Sequence, residues 1–266
     1  MYDITEWRDG LQLPVVAAKI NKEWNLKILE MHLEQAIKVC VSRNIFFNSG
    51  RIATTLSGGI DSSSALAMIR RISGIGAEIH TFTIVASKKH PDYINAKRIA
   101  ELFGTVHHSW VVSKRQISRA RSKMLSIWPD AAIEDGDVAV FMLYRYISKL
   151  GFKCVIAHDG IDELLGGYWK HRKHQTPVQK ERAFKYFWNR LKKHHLLPLE
   201  LKSQYFGIEV LLPYFQEEVI KYISKIPLDD RTGLEISKIP LRKIAGKYLP
   251  TEIIERKKSG FCDALK

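Results

Sequence analysis

A chain of 266 residues, 45% of them hydrophobic, has the length and apolar content for one α/β domain with an added helical part. No apolar run is long enough to span a bilayer, Met1-Tyr2-Asp3-Ile4-Thr5-Glu6 lacks signal-peptide character, and Cys40, Cys154 and Cys262 form no Cys-x-x-Cys pair. These features exclude a membrane span and a cysteine zinc site, and lead us to expect reduced thiols in a cytoplasmic protein. The net charge of +14 comes from 42 Lys+Arg against 28 Asp+Glu, and residues 168–202 hold ten Lys or Arg against only Glu181 and Glu200. That stretch could attract nucleic acid, but its amphipathic pattern favours a solvated helical face.

Residues 1–24 have no periodicity and read as an irregular lead-in. The apolar spacing of Ile28, Leu29, Met31, Leu33, Ala36, Ile37, Val39 and Cys40 predicts a helix over 25–41. A first strand at 51–56 then meets a helix at 62–72 that Ser73-Gly74-Ile75-Gly76 ends. A second strand, Ile79 to Val85, a helix opened by Pro91 and closed by Gly104, and a third strand from about Thr105 to Val112 follow. Helices at 114–127 and 138–149 precede a fourth strand over Lys153–Ala157. This alternation predicts a parallel, doubly wound sheet with helices on both faces. Beyond residue 165 the chain reads as helical, with Phe184, Phe187, Trp188 and Leu191 as a core stripe, so an α/β core over about 45–168 and a helical subdomain over about 169–266 are expected.

Between the first strand and its helix lies Ser57-Gly58-Gly59-Ile60-Asp61-Ser62-Ser63. A glycine turn into a helix start aims backbone N–H groups and the positive end of the helix dipole at one point, which makes an anion site. Gly58 and Gly59 let a phosphate approach, and Ser57, Ser62 and Ser63 add hydroxyl donors. Asp61 would repel a phosphate unless Mg²⁺ lay between them, so a metal-bound polyphosphate is expected. Serine capping alone could explain part of this pattern. The full S-G-G-x-D-S-S string, however, resembles the pyrophosphate loop of the N-type ATP pyrophosphatases, which split ATP into AMP and pyrophosphate.

The fourth strand ends in His158-Asp159-Gly160-Ile161-Asp162-Glu163-Leu164-Leu165-Gly166-Gly167-Tyr168, with three carboxylates in five residues. In open parallel sheets the ends of the first and fourth strands should face one pocket, so Asp61 and Asp162 could share one Mg²⁺. This run is similar to the G-E-G-x-D-E-x-x-G-G-Y segment of asparagine synthetases. His80-Thr81-Phe82-Thr83, Leu102-Phe103-Gly104-Thr105-Val106-His107-His108, Gly207-Ile208-Glu209 with Leu212-Pro213-Tyr214-Phe215, Lys238-Ile239-Pro240-Leu241-Arg242 and Arg256-Lys257-Lys258-Ser259-Gly260-Phe261 resemble other segments of that family in order and spacing. The resemblance covers residue 25 to the end, except for 170–205, and implies an adenine nucleotide alpha hydrolase-like sheet.

What the resemblance implies is chemistry with ATP and Mg²⁺. A carboxylate, aspartate foremost, attacks the α-phosphorus to give an acyl-adenylate and pyrophosphate, and ammonia or another amine then forms the amide. Ser57, Gly58, Gly59, Asp61, Ser62 and Ser63 would hold the pyrophosphate, and Asp61 and Asp162 the metal. Thr55, Leu56, Ile84, Ala157, His158 and Gly160 would line the nucleotide. Lys238, otherwise a surface lysine on a helix over 238–246, would neutralise charge at the α-phosphate. Asp159 would act on the adenylate or the amine. Three departures stand out: Asp159 for a glutamate, His158 for a small glycine and Leu211 for an arginine, all where substrate selection is expected.

No amino-terminal glutaminase domain and no cysteine near Met1 are seen, so the expected nitrogen source is free ammonia, a separate glutaminase subunit or another amine. A homodimer is compatible with this reading. A pyrophosphate-loop enzyme that adenylates a tRNA base, suggested by the charge, ranks second. A β-lactam synthetase-like role and a non-catalytic binding protein rank behind it.

Overall fold

Five short strand segments align edge to edge in the computed structural model, which describes residues 23–173, 176–256 and 261–265. The first part of the lead-in, 1–22, and Lys257–Gly260 of the terminal basic motif lie outside those residues. Asn25 caps α1 (Leu26–Phe47) by accepting from the Lys27 amide. The helix runs beyond the predicted Val41 because two asparagines near its end are used as tertiary staples. Asn44 exchanges hydrogen bonds with the Ala53 backbone, and Asn48 donates to the Cys154 carbonyl at 2.8 Å while accepting from Lys153. They tie the helix end to β1 (Ile52–Thr55) and to the strand that will lie beside it.

The next crossovers run α2 (Ile60–Ser73), β2 (Ile79–Val85), α3 (Pro91–Leu102), β3 (Val106–Val111), α4 (Lys114–Ile127), α5 (Asp135–Lys149) and β4 (Cys154–Ile156). All seven residues of β2 are buried, as a parallel strand covered on both faces requires. Where the helix is expected to start at residue 138, α5 already begins at Asp135. Glu134 and Asp137 exchange capping hydrogen bonds there, so Asp135-Gly136-Asp137 form the first helical turn.

Past β4 come α6 (Ile161–Leu165), α7 (Trp169–Arg172), α8 (Pro177–Leu191), a π-helical turn at Lys192–Leu196 and α9 (Leu197–Tyr205). The stretch expected to be helical then contributes β5 (Glu209–Leu211), which pairs in parallel with β4. Three residues are too few to show periodicity, and a parallel partner so distant in sequence leaves no local signal. The chain ends with α10 (Glu217–Ser224), α11 (Leu228–Arg231), α12 (Ile239–Ala245) and α13 (Thr251–Glu255), followed by a 3₁₀ turn at Phe261–Leu265.

The strand order is β3-β2-β1-β4-β5, with every pairing parallel. Connections leave β1 towards β2 on one side, while β4 and β5 lie on the other. The order therefore reverses between β1 and β4, which is where a crevice opens beyond the carboxyl ends of such a sheet.

Candidate active site

That crevice is a cavity of about 1510 Å³. Ligand pockets commonly run to roughly 1,000 Å³, so this one has room for more than a nucleotide. Thr55, Leu56, Ser57, Asp61, Ser62, Ile84, Ala157, His158, Asp159, Gly160 and Asp162 all line it.

The loop after β1 is shaped by its own hydroxyls and by α3. Ser62 Oγ lies 3.1 Å from both the Ser57 amide and Ser57 Oγ, closing the loop on itself. No side chain caps the first turn of α2, so that helix start presents its backbone dipole to the cavity. Gly58 has φ +67°, and a Cβ there would collide with the backbone of Asn95 and Ala96, so α3 can pack against the loop only if this residue is glycine. Tyr214 donates to the Asp61 carbonyl at 2.9 Å, and Arg256 donates to the Ser57 carbonyl at 3.3 Å while pairing with Asp92. Of the predicted loop residues, Gly58, Gly59 and Ser63 lie outside the cavity lining, and Ser63 is fully buried.

Each of the three carboxylates after β4 has its own partner. Glu163 accepts from the Tyr168 hydroxyl at 2.7 Å; burial first, and the Asp162 charge second, push its carboxyl above the usual range. Asp162 meets Lys238 Nζ at 2.7 Å. The same Nζ lies 2.7 and 2.5 Å from the two carboxylate oxygens of Asp61. The ends of β1 and β4 thus share one cation position, now filled by an ammonium. Lys238 is 2% exposed and adopts φ +54° just before α12. Burial alone would favour the neutral amine, but attraction to Asp162 and Asp61 outweighs it and raises the lysine above its ordinary value. Gly167 packs directly on this bridge, since a Cβ there would collide with Asp162 and the Lys238 Cε.

Two convergent carboxylates beside a phosphate-type loop fit Mg²⁺, which takes a few carboxylate oxygens and completes its shell with water and substrate phosphates. Among the described residues no three His, Cys, Asp or Glu side chains form a cage, so an all-protein metal site is absent there.

His158 stands where a small residue is expected. Its Nε2 lies 3.0 Å from the Thr55 carbonyl, which can only accept, so Nε2 carries the proton. Burial pushes this imidazole down to about 4 and keeps it neutral. Leu211 is buried, lies outside the cavity lining and lends its carbonyl to the Ala157 amide at 2.9 Å. Of the three departures, His158 and Asp159 face the cavity and Leu211 does not.

The far wall comes from α5, the π turn and α9, which sequence reasoning left unassigned. Lys202 is buried and donates to Asp137 at 2.6 Å. His195 Nε2 lies 2.6 Å from Asp159 Oδ1. Arg242, which follows Lys238 by four residues, also lines the cavity. The only sequence signal for the first two was their place in the basic stretch. That stretch is partly consumed inside the protein, because Lys180 is also buried, on Asp229 and the Thr232 carbonyl.

The family model for asparagine synthase matches residues 32–206 and 189–266. An Arabidopsis thaliana protein described as asparagine synthetase [glutamine-hydrolyzing] 1 is 28% identical over 236 residues, covering 79% of this chain and 39% of that protein. The Asparagus officinalis asparagine synthetase [glutamine-hydrolyzing] is 29% identical over 234 residues, covering 79% and 38%. The chain therefore spans well under half the length of these relatives. Among solved structures, NAD⁺ synthetase from Burkholderia pseudomallei aligns with TM-score 0.37 and 14% identity, covering 82% of this chain and 86% of that one.

Proposed function

The chain belongs to the asparagine synthase family, and from that premise we propose that it joins a carboxylic acid to an amine at the expense of ATP, releasing AMP and pyrophosphate. The observation that carries this reading is the shared cation position between Asp61 and Asp162, set against the Ser57–Ser62 loop.

In this reading the loop holds the pyrophosphate half of ATP through its amides and the hydroxyls of Ser57 and Ser62. Thr55, Leu56, Ile84 and Ala157 line the adenosine. Asp61 and Asp162 would hold Mg²⁺, whose charge neutralises the leaving phosphates. Lys238, already beside both carboxylates, would meet the charge that builds at the α-phosphate. A buried ammonium suits this task because water does not screen it. The rest of the catalytic effect is positioning: the acid is held for attack on phosphorus, then the amine for attack on the acyl carbon.

Aspartate is the leading acid, with ammonia or another amine as nucleophile and a separate glutaminase subunit as one nitrogen source. A cytoplasmic setting agrees with the fact that no helix among the described residues is long and apolar enough to cross a membrane. Adenylation of a tRNA base ranks second, because Lys180 and Lys202 of the basic stretch are turned to internal pairs.

Incubation with ATP, Mg²⁺, ammonia and a panel of acids headed by aspartate tests this, with AMP and ADP separated. AMP and pyrophosphate in an acid-dependent ratio of one to one are expected. ADP as product, or nucleotide turnover indifferent to any acid, would sink the proposal.

A further inference from the structure

Asp159 does not face the cavity alone. The π turn at Lys192–Leu196 brings His195 against it, with Nε2 2.6 Å from Asp159 Oδ1. Turns of this kind are rare and recur at functional sites, because the extra residue redirects the side chains around it. His195 lines the same cavity as the nucleotide loop. Its side chain is 45% exposed against 24% for Asp159, so the imidazole is the more open member of the pair.

Resting on the amide-forming reaction above, we propose that His195 takes the proton from the attacking amine and that Asp159 positions it. The amine nitrogen bonds to the acyl carbon while the bond from that carbon to the AMP oxygen breaks. The electron pair leaves on AMP. The surplus proton on nitrogen passes to His195 Nδ1, and later to water. Pairing of Nε2–H with the carboxylate is what makes Nδ1 the bare nitrogen of the neutral ring.

The charged groups around His195 are Asp159 and Glu163 from the β4 loop and Asp137 from α5, the last shared with Lys202 of α9. Burial would lower the imidazole, but Asp159, helped by Glu163 and Asp137, raises it to about 9. The proton-accepting form therefore grows as pH rises towards that value.

Two reactions of one preparation test the proposal. Exchange of labelled pyrophosphate into ATP, with aspartate and then glutamate and short monocarboxylates as probes, needs only adenylation. Hydroxamate formation with hydroxylamine needs the amine step as well, and hydroxylamine is unprotonated throughout the neutral range. For His195→Gln the ratio of hydroxamate formed to exchange should fall about 100-fold. The rise in hydroxamate rate towards pH about 9 should vanish with it. An unchanged ratio, or the same pH rise in the variant, overturns the role of His195 and leaves the amide-ligase reading standing. Wild-type protein without acid-dependent exchange overturns that reading instead. Ring-nitrogen NMR titration of the free protein probes the pair without any substrate. His195 should titrate near 9 in wild type, at Nδ1, and near its ordinary value in Asp159→Asn; an ordinary value in wild type defeats the proposal.

Discussion

Where β1 and β4 end, Asp61 and Asp162 leave two adjacent strand ends, and one lysine closes the gap between them. At the opposite wall the charged groups arrive from α5, a π turn and α9, and meet the β4 loop only because those helices pack there. At the first end each backbone turn sets both a loop shape and a charge position, and a Cβ at Gly58 or Gly167 would collide with its neighbours. The second end holds its charges by pairing, Asp137 with Lys202 and Asp159 with His195, so a change in one helix can be met by a change in another.

The sharpest way to break this contrast is Lys238→Met. It leaves two carboxylates facing each other in a buried site, so a loss of about 3 kcal/mol of stability is expected, with adenylation lowered on the order of 10³-fold. Millimolar Mg²⁺ without nucleotide should restore part of the lost melting temperature in the variant and do little to wild type, whose cation position is already filled. No Mg²⁺ response in the variant would mean that the two carboxylates form an ion pair with lysine and nothing more.

A smaller effect is expected from Gly167→Ala. The added methyl must displace Asp162 or the Lys238 side chain, and a shift of about 1 Å should slow pyrophosphate exchange roughly 100-fold. Exchange within a fewfold of wild type would show that this end is more pliant than its packing suggests.

The smallest effects lie in the pH dependence of stability, where the two histidines should act in opposite senses. His195 is raised to about 9, so its pairing stabilises fully below the ordinary histidine range of about 6.5, and the gain is lost as pH rises through the folded value. His158 is lowered to about 4, so its buried neutral ring favours folding above about 6.5, and that contribution is lost as pH falls towards the folded value. Urea midpoints of His195→Gln and His158→Gln, compared with wild type across that range, should converge with wild type at high pH for the first and at low pH for the second. Parallel profiles for both variants would remove the distinction.

Much of the fold could be read from the chain. β2 falls at Ile79–Val85 and α4 at Lys114–Ile127, as their patterns predict. Such segments carry many side chains facing one core, so period and composition agree. β5 could not be read, because Glu209–Leu211 owes its extended form to pairing with β4 rather than to its own residues. Asn44 and Asn48 look like loop formers, yet their amides are buried and bonded across to β1 and β4. At the site, the sequence pointed to Asp61 and Asp162 as partners of a nucleotide's metal, and its family resemblance added Lys238. It did not foretell that the lysine would sit between the two carboxylates, which depends on the left-handed backbone at Lys238 and the missing side chain at Gly167.

By itself, then, the sequence determined what local order can encode: alternating strands and helices, a glycine turn at a helix start, and acidic residues placed at the end of a strand. Only the tertiary structure decided which charges neutralise one another, because Lys238 with Asp61 and His195 with Asp159 meet across long loops of chain. The physical reason is burial. Within the cavity a charge must find a counter-charge, and which one it finds is set by packed helices rather than by neighbours along the chain.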